Sequence, residues 1–301
     1  MLPHRWNADD VPDQTGRTAL VTGANSGLGL HTAIGLAGQG ARVLMATRSA
    51  ERGEAALKRV RADVPGATVE LVRLDLASLA SVREAAEDVA GRTSVLDVLV
   101  CNAGVMALPR QLTADGFEMQ LGTNHLGHFA LTGLLLPQLL AAAAPRVVAV
   151  SSGAHRTGSI AFDDLQGERS YGRWKAYGQS KLANLLFVSE LQRRAGGRLL
   201  AAAAHPGYAA TNLQSGQGHR VLELAMSVGN RVVAQSDRAG ARPSLYAATM
   251  PGVQGDDYWG PVFETRGWPK RSGRSRAARD TVAAGRLWDV STDLTGVVYA
   301  F

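Results

Sequence analysis

Thr22-Gly23-Ala24-Asn25-Ser26-Gly27-Leu28-Gly29 is the stretch that decides the fold of this chain. The apolar run Ala19-Leu20-Val21 leads into it, and residues 31–40 continue as a helix of small residues. Glycines where a strand hands over to a helix permit a tight turn and let a ligand approach the backbone. The helix beyond offers unpaired N–H groups and positive potential, which suits a pyrophosphate. One glycine triplet in a chain with 34 glycines is weak evidence. Strand before and helix after make it strong, against the alternative of a tight turn that holds nothing.

Outward from this turn, short apolar strands alternate with longer helical patterns. Residues 42–46, 69–74 and 95–101 read as strands two to four, with helices over 50–62 and 78–90 between them. The near-continuous apolar character of 95–101 is expected of a strand covered on both faces. Residues 113–142 read as one long helix, kinked or ending near Pro137. Strand five is 146–150, and a helix over 175–194 follows. Residues 198–204 read as strand six only from their place in the alternation, since alanine is a poor strand former. Helices are expected around 221–234, 239–250 and 277–290. The fold class is α/β: a three-layer, Rossmann-like, doubly wound, mainly parallel sheet of about seven strands in a single domain over 1–301. Residues 1–15 form an N-terminal extension in this reading, and 208–240 a substrate lid.

Composition narrows the function classes. With 301 residues, 46% of them hydrophobic, the chain can bury a sizeable core. A single cysteine, Cys101, rules out an internal disulfide framework and fits a reducing, cytoplasmic location. The polar opening of the chain gives no secretory signal. The apolar run 129–144 is interrupted by Pro137 and Gln138, too short for a membrane span and read as a buried helix. The net charge of +6 is spread out apart from Lys270-Arg271-Ser272-Gly273-Arg274-Ser275-Arg276. That run is expected to be a solvated surface, or to help attract anionic ligands, and no nucleic-acid partner is implied. No His/Cys/carboxylate set has metal-ligand spacing, and no metal is expected.

The chemistry lies in Tyr177-Gly178-Gln179-Ser180-Lys181. Residues four apart share a helix face, so a phenol and an ammonium meet at one site. The cation is expected to favour the phenolate and bring Tyr177 into proton exchange near neutral pH. At the end of strand two, Ala46-Thr47-Arg48 carries no carboxylate for a ribose 2′-hydroxyl. Arg48 suits a 2′-phosphate and hence NADP, unless it only caps the surface of its loop. Asp75-Leu76 and Asn102-Ala103-Gly104 follow strands three and four, on the edge where such sheets bind ligands. Asp75 is placed to meet an adenine amino group and the backbone around Asn102 a ribose, unless each serves only its loop.

These motifs together resemble the short-chain dehydrogenase/reductase family over roughly residues 15–300, and the resemblance implies that family's hydride-transfer chemistry. It implies the acid/base role for Tyr177, with Lys181 as its electrostatic partner and a contact to the nicotinamide ribose. Ser152, in Val148-Ala149-Val150-Ser151-Ser152, matches the serine that hydrogen-bonds the substrate oxygen, with Ser151 the competing candidate. Asn124, in Thr123-Asn124-His125-Leu126-Gly127-His128, matches the asparagine that bends its helix and holds a relay water, or is only a kink. Pro206, Gly207 and Thr211 match the segment touching the carboxamide. His125, His128 and His155 are expected to be packing or surface groups.

The insert 155–176, Ser180-Lys181-Leu182-Ala183-Asn184, Pro269-Lys270-Arg271 and Leu287-Trp288 are similar to the retinol-dehydrogenase-like subgroup. Animal members often carry an N-terminal membrane anchor, and none is expected here. Phe162, Tyr171 and Trp174, with Val221, Leu222, Leu224, Met226 and Val228, are expected either to wall an apolar substrate pocket or to be core. The resulting expectation is an NADP(H)-dependent oxidoreductase interconverting a lipophilic carbonyl and its alcohol. A reductase of activated C=C bonds and a non-catalytic NADP sensor are the alternatives. The family also suggests a homo-oligomer built through the Phe129 and Tyr177 helices.

Overall fold

The computed structural model describes residues 5–207 and 236–301, and eight strands within them form one sheet. In chain order these are β1 Thr18–Thr22, β2 Arg42–Thr47, β3 Val69–Arg73, β4 Val98–Cys101, β5 Arg146–Val150, β6 Leu200–Ala204, β7 Tyr258–Pro261 and β8 Pro269–Arg271. Across the sheet the order is β3-β2-β1-β4-β5-β6-β7-β8. Strands β1 to β7 pair in parallel, and β8 lies antiparallel on β7. The sheet of about seven strands thus gains one short edge strand. Pro269-Lys270-Arg271 shows no apolar alternation that would mark it in the sequence.

The helices up to residue 195 are α1 Gly27–Ala37, α2 Ala50–Asp63, α3 Leu79–Arg92, α4 Met119–Leu121, α5 Gly127–Leu134, α6 Leu136–Leu140 and α7 Arg173–Ala195. Successive strand residues point to opposite faces. Leu20, Leu44, Leu99 and Val147 therefore enter one core, with Val82 of α3, Phe129 of α5 and Leu185 of α7. Val21, Met45, Val100 and Val148 enter the other, with Leu36 of α1, Val60 of α2 and Leu245 of helix Arg242–Thr249. Strand β6 forms although it reads Leu-Ala-Ala-Ala-Ala, because its alanines are fully buried between β5 and β7. Burial overrides propensity there.

The long helix expected over 113–142 is broken into pieces. Residues 113–117 make a turn closed by Thr113 N–H to the Phe117 carbonyl at 2.8 Å, with Gly116 at φ 84°. Helix α4 starts only at Met119, Gly122–Leu126 winds as a π-turn, and α5 and α6 part at Leu135. The basic run also differs from expectation. Arg274 is almost wholly buried, paired with Asp256 at 2.6 Å and donating to Ser189 Oγ at 2.6 Å. The predicted helix at 221–234, most of the 208–240 lid, and Thr211, Val221, Leu222, Leu224, Met226 and Val228 lie outside the described residues. No helix of the described residues is long and apolar enough to cross a membrane.

Strand β1 sits between β2 and β4; the chain leaves β1 toward β2 on one side, and leaves β4 toward β5 on the other. The connections diverge at the carboxyl end of β1 and open a crevice there.

Candidate active site

The turn after β1 forms the floor of that crevice. Gly23 and Gly27 take φ of 67° and 55°, values that favour glycine. A Cβ on Gly29 would strike the Gly23 carbonyl and stand 2.5 Å from Asn102 Nδ2. Ser26 precedes α1 in extended conformation but its hydroxyl does not cap the helix. The first N–H groups of α1 are thus left for another acceptor.

A cleft of about 990 Å³ runs from this turn to Tyr177. Of the predicted cofactor residues it is lined by Gly23, Asn25, Ser26, Gly27, Leu28, Gly29, Arg48, Asp75, Leu76, Asn102, Ala103, Gly104, Tyr177, Lys181 and Pro206. Gly207 lies beside it at φ 69°, its N–H donated to His205 Nδ1 at 3.2 Å. Asp75 is held in its loop by bonds to Ala77 N and Ser81 Oγ. The exposed Arg48 has no partner among the described residues, and Arg52 of α2 lines the same end. Asn102 Oδ1 is buried without a partner. Uncapped N–H groups, a turn only glycine fits and an unpartnered amide oxygen all suit a dinucleotide along this cleft.

At the far end, three elements converge on Tyr177. Its phenol is buried, and the Ser152 hydroxyl is the side chain that acts on it to lower its pKa. Ser152 ends in extended conformation after β5 and caps the short turn Gly153–Thr157 through Ala154 N–H at 3.2 Å. That turn packs directly on α7, because Gly158 meets the Gly178 carbonyl where a Cβ would clash. Ser151 is separated from this role by one residue of strand alternation. It points into the core and donates to the Lys181 carbonyl at 2.7 Å.

Lys181 Nζ lies 5.7 Å from the Tyr177 ring centroid and donates to the Val150 carbonyl at 3.1 Å. Asn184 shares that acceptor at 3.0 Å. Asn124 Nδ2 donates to the Val105 carbonyl and to Ser180 Oγ, both at 2.9 Å, and its Oδ1 accepts from Val105 N–H at 2.8 Å. These bonds hold the π-turn against α7 beside Lys181. Gly104 makes room for the pair: a Cβ there would lie 2.9 Å from Asn124 Oδ1 and 3.4 Å from Lys181 Nζ.

The electrostatics differ from the sequence expectation. Burial raises the Tyr177 pKa, with the Ser152 hydrogen bond pulling it back. Burial also lowers Lys181 to about 8. Desolvation of two neighbouring groups outweighs the attraction between ammonium and phenolate. The protein alone therefore favours a protonated phenol, which is the form that gives a proton away.

The model of the short chain dehydrogenase family matches residues 17–222. The chain belongs to the short-chain dehydrogenase family. Its similarity to human retinol dehydrogenase 12 is 42% identity over 283 residues, covering 94% of this chain and 87% of that protein. Mouse retinol dehydrogenase 14 gives 42% over 299 residues with the same coverage, which sets this short-chain dehydrogenase in the retinol-dehydrogenase-like subgroup. Among solved structures, an uncharacterized protein from Mycobacterium Paratuberculosis is 47% identical with a TM-score of 0.83, covering 99% of this chain and all of that one. A Pseudomonas aeruginosa RhlG/NADP active-site complex is 25% identical with a TM-score of 0.65, covering 82% of this chain and 95% of that one.

Of the residues expected to form either an apolar wall or core in this short-chain dehydrogenase, Phe162, Tyr171 and Trp174 lie among the described residues. Trp174 is 59% exposed and stands edge-on to Tyr177, with ring centroids 6.0 Å apart. Tyr171 instead ties the insert to the scaffold, its hydroxyl bonded to the Leu108 carbonyl and Glu118. Phe162 packs on the core beneath Arg286. His125, His128, His155 and His205 are all buried. Sequence reasoning overlooked the Thr22 hydroxyl, which accepts N–H bonds from Asn102 and Ala103 at 2.9 Å each. Its position as the first residue of the glycine motif was the signal available.

The Phe129 and Tyr177 helices, expected to meet a second copy, also pack against the C-terminal residues of the same chain. Phe129 packs against Trp288 and Tyr299 with centroids 5.1 and 5.0 Å away, and α7 lies against helix Thr281–Thr295.

Proposed function

We propose that this chain reversibly reduces lipophilic aldehydes or ketones, using NADPH in preference to NADH. One observation carries the reading: the Tyr177 phenol and the Lys181 ammonium line the end of a cleft suited to a dinucleotide, and the Ser152 hydroxyl acts on that phenol. A bound nicotinamide cofactor supplies the hydride. Ser152 gives the substrate oxygen a hydrogen bond, and Tyr177 donates its phenolic proton as negative charge develops there. Lys181, anchored on the Val150 carbonyl, keeps N–H donors for the cofactor ribose and the returning proton. Asn124 holds the relay water beside it.

Arg48 supports the NADPH preference, because an unpaired guanidinium at the end of β2 suits a 2′-phosphate. NADP in the RhlG complex supports the same choice. The exposed Trp174 beside Tyr177 favours an apolar substrate, and the relatives' name makes retinal a compound to include. The buried free Cys101 accords with a cytoplasmic location.

The test is NADPH consumption with a panel of lipophilic aldehydes and ketones, repeated with NADH and with Tyr177→Phe. The reading expects turnover that the variant loses while still binding NADPH. An active Tyr177→Phe chain, or a wild type that binds no nicotinamide cofactor, would overturn it.

A further inference from the structure

Among the buried polar groups to which the proposed catalytic roles assign nothing, one joins the end of β1 to the Asn124 turn. His128, on α5, is 2% exposed and both of its ring nitrogens have short contacts. Nδ1 lies 3.0 Å from the Asn124 carbonyl oxygen, and Nε2 lies 2.8 Å from Thr22 Oγ. Chemistry fixes the direction of each bond. A carbonyl only accepts, so Nδ1 carries the proton and donates. Burial lowers the imidazole pKa to about 4, so the ring is neutral and Nε2 accepts. Thr22 Oγ already accepts from Asn102 N–H and Ala103 N–H, and its own proton goes to Nε2. The alternative acceptor, the Val100 carbonyl, is at 3.4 Å.

A one-way chain of hydrogen bonds results. It starts at the backbone after β4, passes through the end of β1 and the imidazole, and ends on the Asn124 carbonyl. The π-turn Gly122–Leu126 departs from regular α-helical bonding at this point, and the His128 ring is a side-chain donor to its Asn124 carbonyl. Lys181 is near enough to act on the imidazole electrostatically.

We propose that His128 is a positioning residue for proton transfer: through Nδ1–H it locks the Asn124 carbonyl in place, and Thr22 locks His128. The role rests on the carbonyl-reduction reading above. It separates two functions that Thr22 joins, because the same hydroxyl also pins the loop that borders the cofactor cleft. His128 serves the proton path and not the cofactor cradle.

Three variants test this. In His128→Asn the amide nitrogen takes the place of Nδ1 and still reaches the Asn124 carbonyl. In His128→Gln the amide sits further out, near the Nε2 position, and keeps contact with Thr22 instead. His128→Leu keeps bulk and loses both bonds. The measurements are kcat and KM for a carbonyl substrate at saturating NADPH, NADPH affinity by fluorescence, and Tm.

His128→Gln and His128→Leu are expected to lose about 10- to 100-fold in kcat, the scale of a misplaced catalytic group. NADPH affinity should stay near the wild-type value, and His128→Asn should recover most of kcat. If the leucine variant does not fold, the comparison of the two amides carries the test. Equal kcat in the Asn and Gln variants would overturn the role, as would a loss confined to NADPH affinity. Tyr177→Phe runs alongside. Should it stay as active as the wild type, the carbonyl-reduction reading falls and this role with it. Should it lose activity while His128→Leu keeps it, this role alone falls.

Discussion

Gly104→Ala adds one methyl group where Asn124 and Lys181 come together. The new carbon would lie 2.9 Å from Asn124 Oδ1, 3.5 Å from its Cγ and 3.4 Å from Lys181 Nζ. The first distance is closer than a carbon and an oxygen tolerate, so Asn124 must move by several tenths of an ångström. Oδ1 is held by Val105 N–H at 2.8 Å, and the same side chain bonds the Val105 carbonyl and Ser180 Oγ. Movement therefore breaks or stretches at least one buried hydrogen bond, at a cost of about 1–3 kcal/mol. For a chain of this size that lowers Tm by roughly 2–5 °C. The displaced Asn124 and Lys181 are expected to reduce kcat about 10- to 100-fold, because proton-transfer groups tolerate little misplacement. Cofactor contacts along the glycine turn are untouched, so any loss of NADPH affinity should be limited to the ribose contact of Lys181.

Steady-state kinetics with a lipophilic aldehyde, NADPH fluorescence titration and differential scanning calorimetry together read all three effects. Gly91→Ala is the control, since a Cβ there meets nothing within 4 Å and its helix should tolerate or welcome it. A Gly104→Ala chain with wild-type kcat and unchanged Tm would refute the reasoning, by showing that this crossing has slack.

Gly29→Ala places its Cβ against the Gly23 carbonyl, a backbone atom that cannot swing away, and should abolish measurable NADPH binding in a fluorescence titration while leaving the sheet's circular dichroism intact. Arg48→Ala should raise KM for NADPH about 10- to 100-fold, the scale of a charge-assisted hydrogen bond, and leave KM for NADH nearly unchanged; equal effects on both would assign Arg48 to the surface. Lys181 is pushed down to about 8, so its ammonium is present below that pH and lost above it. The kcat/KM for carbonyl reduction should fall as pH rises through about 8, and a flat profile to pH 10 would contradict a catalytic ammonium. The same shift bears on stability. Between pH 8 and the unfolded lysine's value the native chain binds fewer protons than the unfolded one, so this group's contribution rises with pH in that window.

Reading along the chain located the glycine turn, strands β1 to β6 and the Tyr177–Lys181 pair, because each is a local pattern. A turn needs its glycines, a doubly covered strand needs apolar residues on both faces, and a helix repeats every four residues. What the sequence could not carry are features set by partners distant along it. Strand β8 exists because β7 offers it an edge, and Arg274 is buried because Asp256 and Ser189 meet it there. The break of the 113–142 helix was written locally in Gly116, but its π-turn depends on Asn124 reaching Val105 and Ser180.

The site divides in the same way. Sequence spacing brought Tyr177 and Lys181 to one helix face, and the motif named both serines after β5. Only the packing of the 153–158 turn on Gly178 decided that Ser152 meets the phenol while Ser151 turns into the core. The protonation preference of Tyr177 and Lys181 was likewise decided by tertiary structure. Charge proximity follows from spacing, whereas desolvation depends on everything that closes over the pair, and here it is the larger effect.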